Sequence, residues 1–98
     1  MEPRLGQLVV SAAGRDRGRY YIVARILDDT TVAVTDGAYR PVSNPKKKNV
    51  RHLMMTRTID SSLSERLLGG IGITNEEVRE ALKISSKARL ERTDCAHG

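Results

Sequence analysis

The sequence predicts a mainly β fold, five short strands in a small antiparallel barrel or strongly curved sheet, followed by a short helical C-terminal tail. Three observations predict it. Leu5 to Leu27 comprises two apolar runs held apart by a glycine-bracketed basic loop, Gly14-Arg15-Asp16-Arg17-Gly18, which is the pattern of a hairpin. Turn signals then recur at close spacing, at Asp28-Asp29-Thr30, Asp36-Gly37 and Ser43-Asn44-Pro45. From Asp60 the composition changes to capping residues ahead of apolar residues at helical spacing. Residues 1–58 are therefore expected to form the barrel and residues 59–98 a helical appendage with a frayed C-terminus.

The first strand spans Leu5 to Ser11 and carries Leu8, Val9 and Val10. A hairpin loop of the length that follows needs positive φ, which glycine supplies without a Cβ penalty. Tyr20 to Leu27 is the clearest strand, rich in aromatic and β-branched residues. Alternation places Ile22, Ala24 and Ile26 on an inner face and Tyr21, Val23 and Arg25 on the other, unless a bulge shifts the register. Thr31 to Thr35 is a third strand, and Ala38 to Val42 a short fourth one that Pro41 confines to an edge or a bulge. Ser43 to Asn49 reads as a loop bearing three consecutive lysines, and Val50 to Met55 as the fifth strand. Beyond it, Ser62-Leu63-Ser64-Glu65 is one possible capping box, and Thr74-Asn75-Glu76-Glu77 a better one that leads into Val78, Ala81, Leu82 and Ser85. Lys87 onward reads as a fraying polar end.

Composition narrows the function. With no Trp, no Phe and three Tyr, the core must be aliphatic, which argues against an aromatic platform for runs of single-stranded bases. Residues 1–58 hold eleven Lys or Arg against five acids, a balance of +6, whereas residues 59–98 hold six against seven, a balance of −1. Positive charge confined to the sheet points to a polyanionic partner. The single cysteine, Cys95, permits no intrachain disulfide, so a reducing compartment is the expectation. Together with His52 and His97 it falls short of the four ligands of a structural zinc site, and neither metal nor cofactor is expected. No apolar run approaches the roughly 20 residues that span a bilayer, and MEPRLG lacks the apolar stretch of a signal peptide, so a cytoplasmic protein without a membrane partner is expected. No catalytic constellation appears. Asp28-Asp29 has no nearby His, and Gly14 to Gly18 lacks the Lys-Ser/Thr ending of a phosphate-cradling loop, so enzyme activity is not expected.

Two groups of cations are the candidate contacts. Arg15, Arg17 and Arg19 surround Gly18 on the hairpin loop, where guanidinium forks suit bidentate contact with phosphate, and Asp16 between them is expected to shape the loop by accepting backbone N–H bonds. Lys46, Lys47, Lys48 and Arg51 form the second group, for which a solvated, edge-protecting run is the alternative. Tyr39 with Arg40 reads either as a half-buried strand pair or as a stacking site for an unpaired base. His52 reads as a packed strand histidine, and Met54 and Met55 as core.

Leu8 to Ile26, with Gly18 between Arg17 and Arg19, resembles the KOW motif, a strand-loop-strand element of ribosomal proteins and of transcription elongation factors of the NusG type. Gly18 stands at the place of the motif's most characteristic glycine. Many members have a second glycine where this chain has Tyr21. The run Ile26-Leu27-Asp28-Asp29, then Val32 to Gly37, a basic loop and a closing strand is similar to KOW-bearing large-subunit ribosomal proteins of the archaeal and eukaryotic type. The resemblance implies a five-stranded SH3-like barrel and RNA binding, with ribosomal RNA the partner, possible ribosomal or transcription protein partners, and a place in translation. A protein-interaction adaptor of the translation or transcription machinery, or a NusG-like module, is the alternative. If both cation groups lie on one side of the barrel, Arg15, Arg17, Gly18, Arg19, Arg40, Lys46, Lys47, Lys48 and Arg51 make one basic surface for structured RNA.

Overall fold

The computed structural model describes residues 2–83. Five antiparallel strands form one sheet in the order β4-β3-β2-β1-β5, where β1 is Gln7–Ser11, β2 Tyr20–Ile26, β3 Thr31–Thr35, β4 Lys46–Asn49 and β5 Leu53–Ile59. A 3₁₀ turn, Val50–His52, joins β4 to β5, and two helices follow, α1 over Ser61–Leu68 and α2 over residues 75–83. The fraying expected from Lys87 and the placement of Ser85, Cys95 and His97 lie outside the described residues.

Connectivity forces curvature. β4 and β5 are the two edges of the sheet, yet only Val50–His52 separates them in the chain. Four strand spacings in a flat sheet amount to about 19 Å, whereas the four backbone steps from Asn49 to Leu53 reach only about 13 Å. The sheet therefore curls, and Leu53 of β5 shares one buried cluster with Val9 of β1, Tyr21 and Val23 of β2 and Val32 and Val34 of β3. It does not close. β4 ends after four residues in the 3₁₀ turn, where Asn49 Oδ1 accepts from Arg51 N–H at 2.9 Å, so it never runs alongside β5 and no ladder joins the two edges.

Register decides which face of β2 is inner. The ladder with β3 pairs Val23 with Val34 and then Arg25 with Ala33, leaving Ala24 as a bulge. Tyr21 and Val23 face the interior of the curl and Ile22 the outer side, and the bulge carries Arg25, opposite Ala33, off the inner side, so that this side can be buried. This reverses the face expected from simple alternation. The outer side is buried as well, because Leu8 and Ile22 pack against Leu63 of α1, Ile73, and Val78 and Ala81 of α2.

Both helices start on identifiable caps. Asp60, not Ser62, caps α1, its Oδ1 accepting from Leu63 N–H at 3.0 Å, because a carboxylate directly after β5 captures the first free donors. The Thr74 box forms as expected: Thr74 Oγ1 accepts from Glu77 N–H and Glu77 Oε1 from Thr74 N–H, each at 3.1 Å. Arg66 of α1 pairs with Glu77 of α2. Among the described residues, no helix is long and apolar enough to cross a membrane.

Ala38 to Val42 is a loop, not a strand. Asp36 Oδ1 takes the N–H groups of Ala38 (2.9 Å) and Arg40 (2.8 Å), Thr35 Oγ1 donates to Arg40 O at 2.6 Å, and Asn75 Oδ1 takes Val42 N–H at 2.8 Å. Side chains thus claim the donors a ladder would use. Gly37 turns the chain at φ +73°, where a Cβ would meet Asn75 O at 2.5 Å, and Arg79 holds its carbonyl at 2.8 Å. The fourth strand is instead the lysine run.

Candidate nucleic-acid interface

The hairpin between β1 and β2 is closed by Ser11 N–H to Arg19 O at 2.9 Å and Gly18 N–H to Ser11 O at 2.7 Å. Gly14 and Gly18 bracket the loop at φ +87° and +92°, so the residues between them fold into a tight excursion that ordinary side chains would strain. That excursion turns Asp16 inward and leaves Arg15, Arg17 and Arg19 exposed.

Asp16 is the hub. At 8% exposure its carboxylate accepts from Ser11 Oγ and Tyr21 OH, both at 2.8 Å, and from Lys46 Nζ and Lys48 Nζ, both at 3.0 Å. Lys48 Nζ also donates to Ala13 O at 3.1 Å. Every donor to the carboxylate is a side chain, so Asp16 shapes the loop by reaching across the curled sheet instead of by the expected backbone N–H bonds. Burial pushes its pKa up, but the hydrogen bonds from Lys48, Tyr21, Ser11 and Lys46 more than reverse this and hold it well below the usual carboxylate range. Burial pushes the Tyr21 phenol up, and the bond to Asp16 and its negative charge push it further, so Tyr21 remains a donor. One carboxylate faces two lysines, and the buried network retains a net positive charge.

This hub explains why the lysine run is a strand. Lys46 and Lys48 alternate onto the inner face, opposite Val34 and Val32, and find their counter-charge there. Lys47 pairs with Ala33 and points to the other face, exposed. Lys48 is 8% exposed, so its charge braces the loop and is not offered to solvent as the sequence reading had it; Lys46 is half-buried and does the same in part.

The remaining candidates border the same loop. His52 O accepts from Ala12 N–H at 2.8 Å, which sets exposed Arg51 next to the base of the hairpin. Arg40 is half-buried, and its exposed neighbour Tyr39 lies under the Arg19 guanidinium, 4.2 Å from the ring centroid. Arg15, Arg17, Gly18, Arg19, Lys46, Lys48, Arg40 and Arg51 are thus gathered by direct contact or by an adjacent residue, and Lys47 stands apart.

Sequence reasoning missed Ser11, Tyr21 and the Arg19–Tyr39 pair. The one available signal was Tyr21 itself, since a tyrosine in an aliphatic strand needs a partner for its hydroxyl when buried. Chemically, three exposed guanidiniums on a loop fixed by a buried ion network suit planar contact with phosphate oxygens. No known family model matches the chain.

Proposed function

We propose that this protein is an RNA-binding module that grips the phosphate backbone of structured RNA, with ribosomal RNA as its target, through the exposed arginines of the β1–β2 loop. In this reading the curved sheet is an SH3-like barrel of the KOW type, and Gly18 is the motif's glycine. The observation that carries the proposal is the Asp16 hub: one buried carboxylate bonded to both Lys46 and Lys48 draws the lysine strand up against the arginine loop. Arg15, Arg17 and Arg19 then stand as an exposed cationic edge over a buried network that is itself net positive. Such a surface suits A-form RNA, which is contacted largely through phosphates and 2′-hydroxyls.

In-cell crosslinking with sequencing of the attached RNA tests this. The wild-type chain is expected to recover ribosomal RNA and a R15A/R17A/R19A variant to lose it; equal recovery by both would refute the assignment. The arginines are the right target, because replacing Lys46–Lys48 would also dismantle the hub. A second reading, an adaptor of the translation or transcription machinery, draws on Ile26 and Ile71, which are 43% and 62% exposed and line a groove of about 930 Å³. Its signature is capture of proteins of that machinery which survives nuclease treatment.

A further inference from the structure

Tyr39 is 77% exposed, whereas Tyr21 is buried and Tyr20 half-buried, so it is the one aromatic ring among the three that the fold presents outward. Its loop is held firmly. Asp36 Oδ1 fixes the N–H groups on either side of it, at Ala38 and Arg40, while α2 anchors the loop through Arg79 to Gly37 O and Asn75 to Val42 N–H. A ring presented this way gives up little conformational freedom on binding. The Arg19 guanidinium, 4.2 Å from the centroid, stacks on one face and leaves the other to solvent.

We infer that Tyr39 is a stacking platform for a single unpaired nucleobase, continuing an Arg19–Tyr39–base stack beside the phosphate-binding loop. The inference rests on the RNA reading above and narrows its ligand. Bases inside a helix are already stacked and cannot reach such a ring, and one open face accommodates one base, with no row of aromatics for a single-stranded run. The ligand is therefore a paired RNA helix with an extruded base. Arg19 belongs to the same loop as Arg15 and Arg17, so the phosphates flanking that base meet the loop's guanidiniums while the base meets the ring.

The test uses the full chain and two RNA hairpins that differ by one bulged 2-aminopurine. Base–aromatic stacking predicts that the wild type binds the bulged hairpin roughly tenfold more tightly than the fully paired one and quenches the 2-aminopurine fluorescence. Tyr39→Phe should keep both effects, and Tyr39→Ala should abolish both while still binding the paired hairpin with the wild-type salt dependence. Equal wild-type affinity for the two hairpins, or a preference that survives Tyr39→Ala, overturns the stacking inference and leaves backbone binding intact. Salt-dependent binding to neither hairpin overturns both.

Discussion

Asp16 brings one negative charge to a site where Lys46 and Lys48 bring two positive ones, and it does so almost out of reach of water. Removing one partner of a buried ion pair strands the other, which typically costs about 3–5 kcal/mol. Asp16→Asn leaves two ammonium groups facing a neutral amide and should lose about 3 kcal/mol of stability in chemical denaturation. Lys48→Met should cost less, since Lys46, Tyr21 and Ser11 still satisfy the carboxylate. The pH dependence has a definite sign. Asp16 has a lower pKa folded than its ordinary 3.8, so its stabilisation is complete above about pH 5 and is lost as pH falls through the unfolded value toward the folded one. The gap in Tm between wild type and Asp16→Asn should thus be widest near neutral pH and close toward pH 2. Tyr21 works in the opposite direction: its raised pKa means stability is lost as pH rises beyond the ordinary phenol value of 10.0. In an absorbance titration of the three tyrosines, Tyr21 should ionise only as the fold opens, and Tyr21→Phe should remove that delayed step. At this scale the loop glycines were legible, because positive φ is a local demand. The partners of Asp16 were not, since Ser11, Tyr21 and Lys48 meet only through hairpin register and the curl of the sheet.

Among the elements, those specified by neighbouring residues were readable, and those specified by distant ones were not. The Thr74 box lies within four consecutive residues and forms as its sequence indicates. Thr74→Ala should cost about 1 kcal/mol, and Val78→Ala, at a fully buried position under the sheet, about 2 kcal/mol, both checked by denaturation. The fourth strand was misplaced for a physical reason. Ala38 to Val42 carries Tyr39 and Val42, but Asp36 and Asn75 capture its backbone donors. Lys46–Asn49 has poor intrinsic strand preference, and pairing with β3 and the counter-charge of Asp16 override it. The bulge at Ala24 had the same invisibility, and it alone moved Arg25 off the side of Tyr21 and Val23.

Taken whole, the molecule separates its charges by layer. The sheet segment, residues 1–58, carries a balance of +6, and residues 59–83, which supply the described helices, hold three Lys or Arg against five acids, a balance of −2. The helices share a core with Leu8 and Ile22, so they seal the outer face of the sheet and leave the hairpin end exposed. The charge asymmetry and the mainly β class were evident from composition and pattern, because both are sums over many residues. The open edge between β4 and β5 was not, because it depends on where a single 3₁₀ turn interrupts the chain. If the hairpin end grips an RNA backbone, affinity must fall with salt in proportion to the phosphates neutralised. The decisive measurement is the affinity of wild type and R15A/R17A for a ribosomal RNA hairpin across a salt series. At about −0.9 per phosphate, the duplex value, contacts from Arg15, Arg17, Arg19, Arg40 and Arg51 give a log–log slope near −4.5 for the wild type and about −2.7 for the variant. Identical slopes, or binding indifferent to salt, would contradict the proposal.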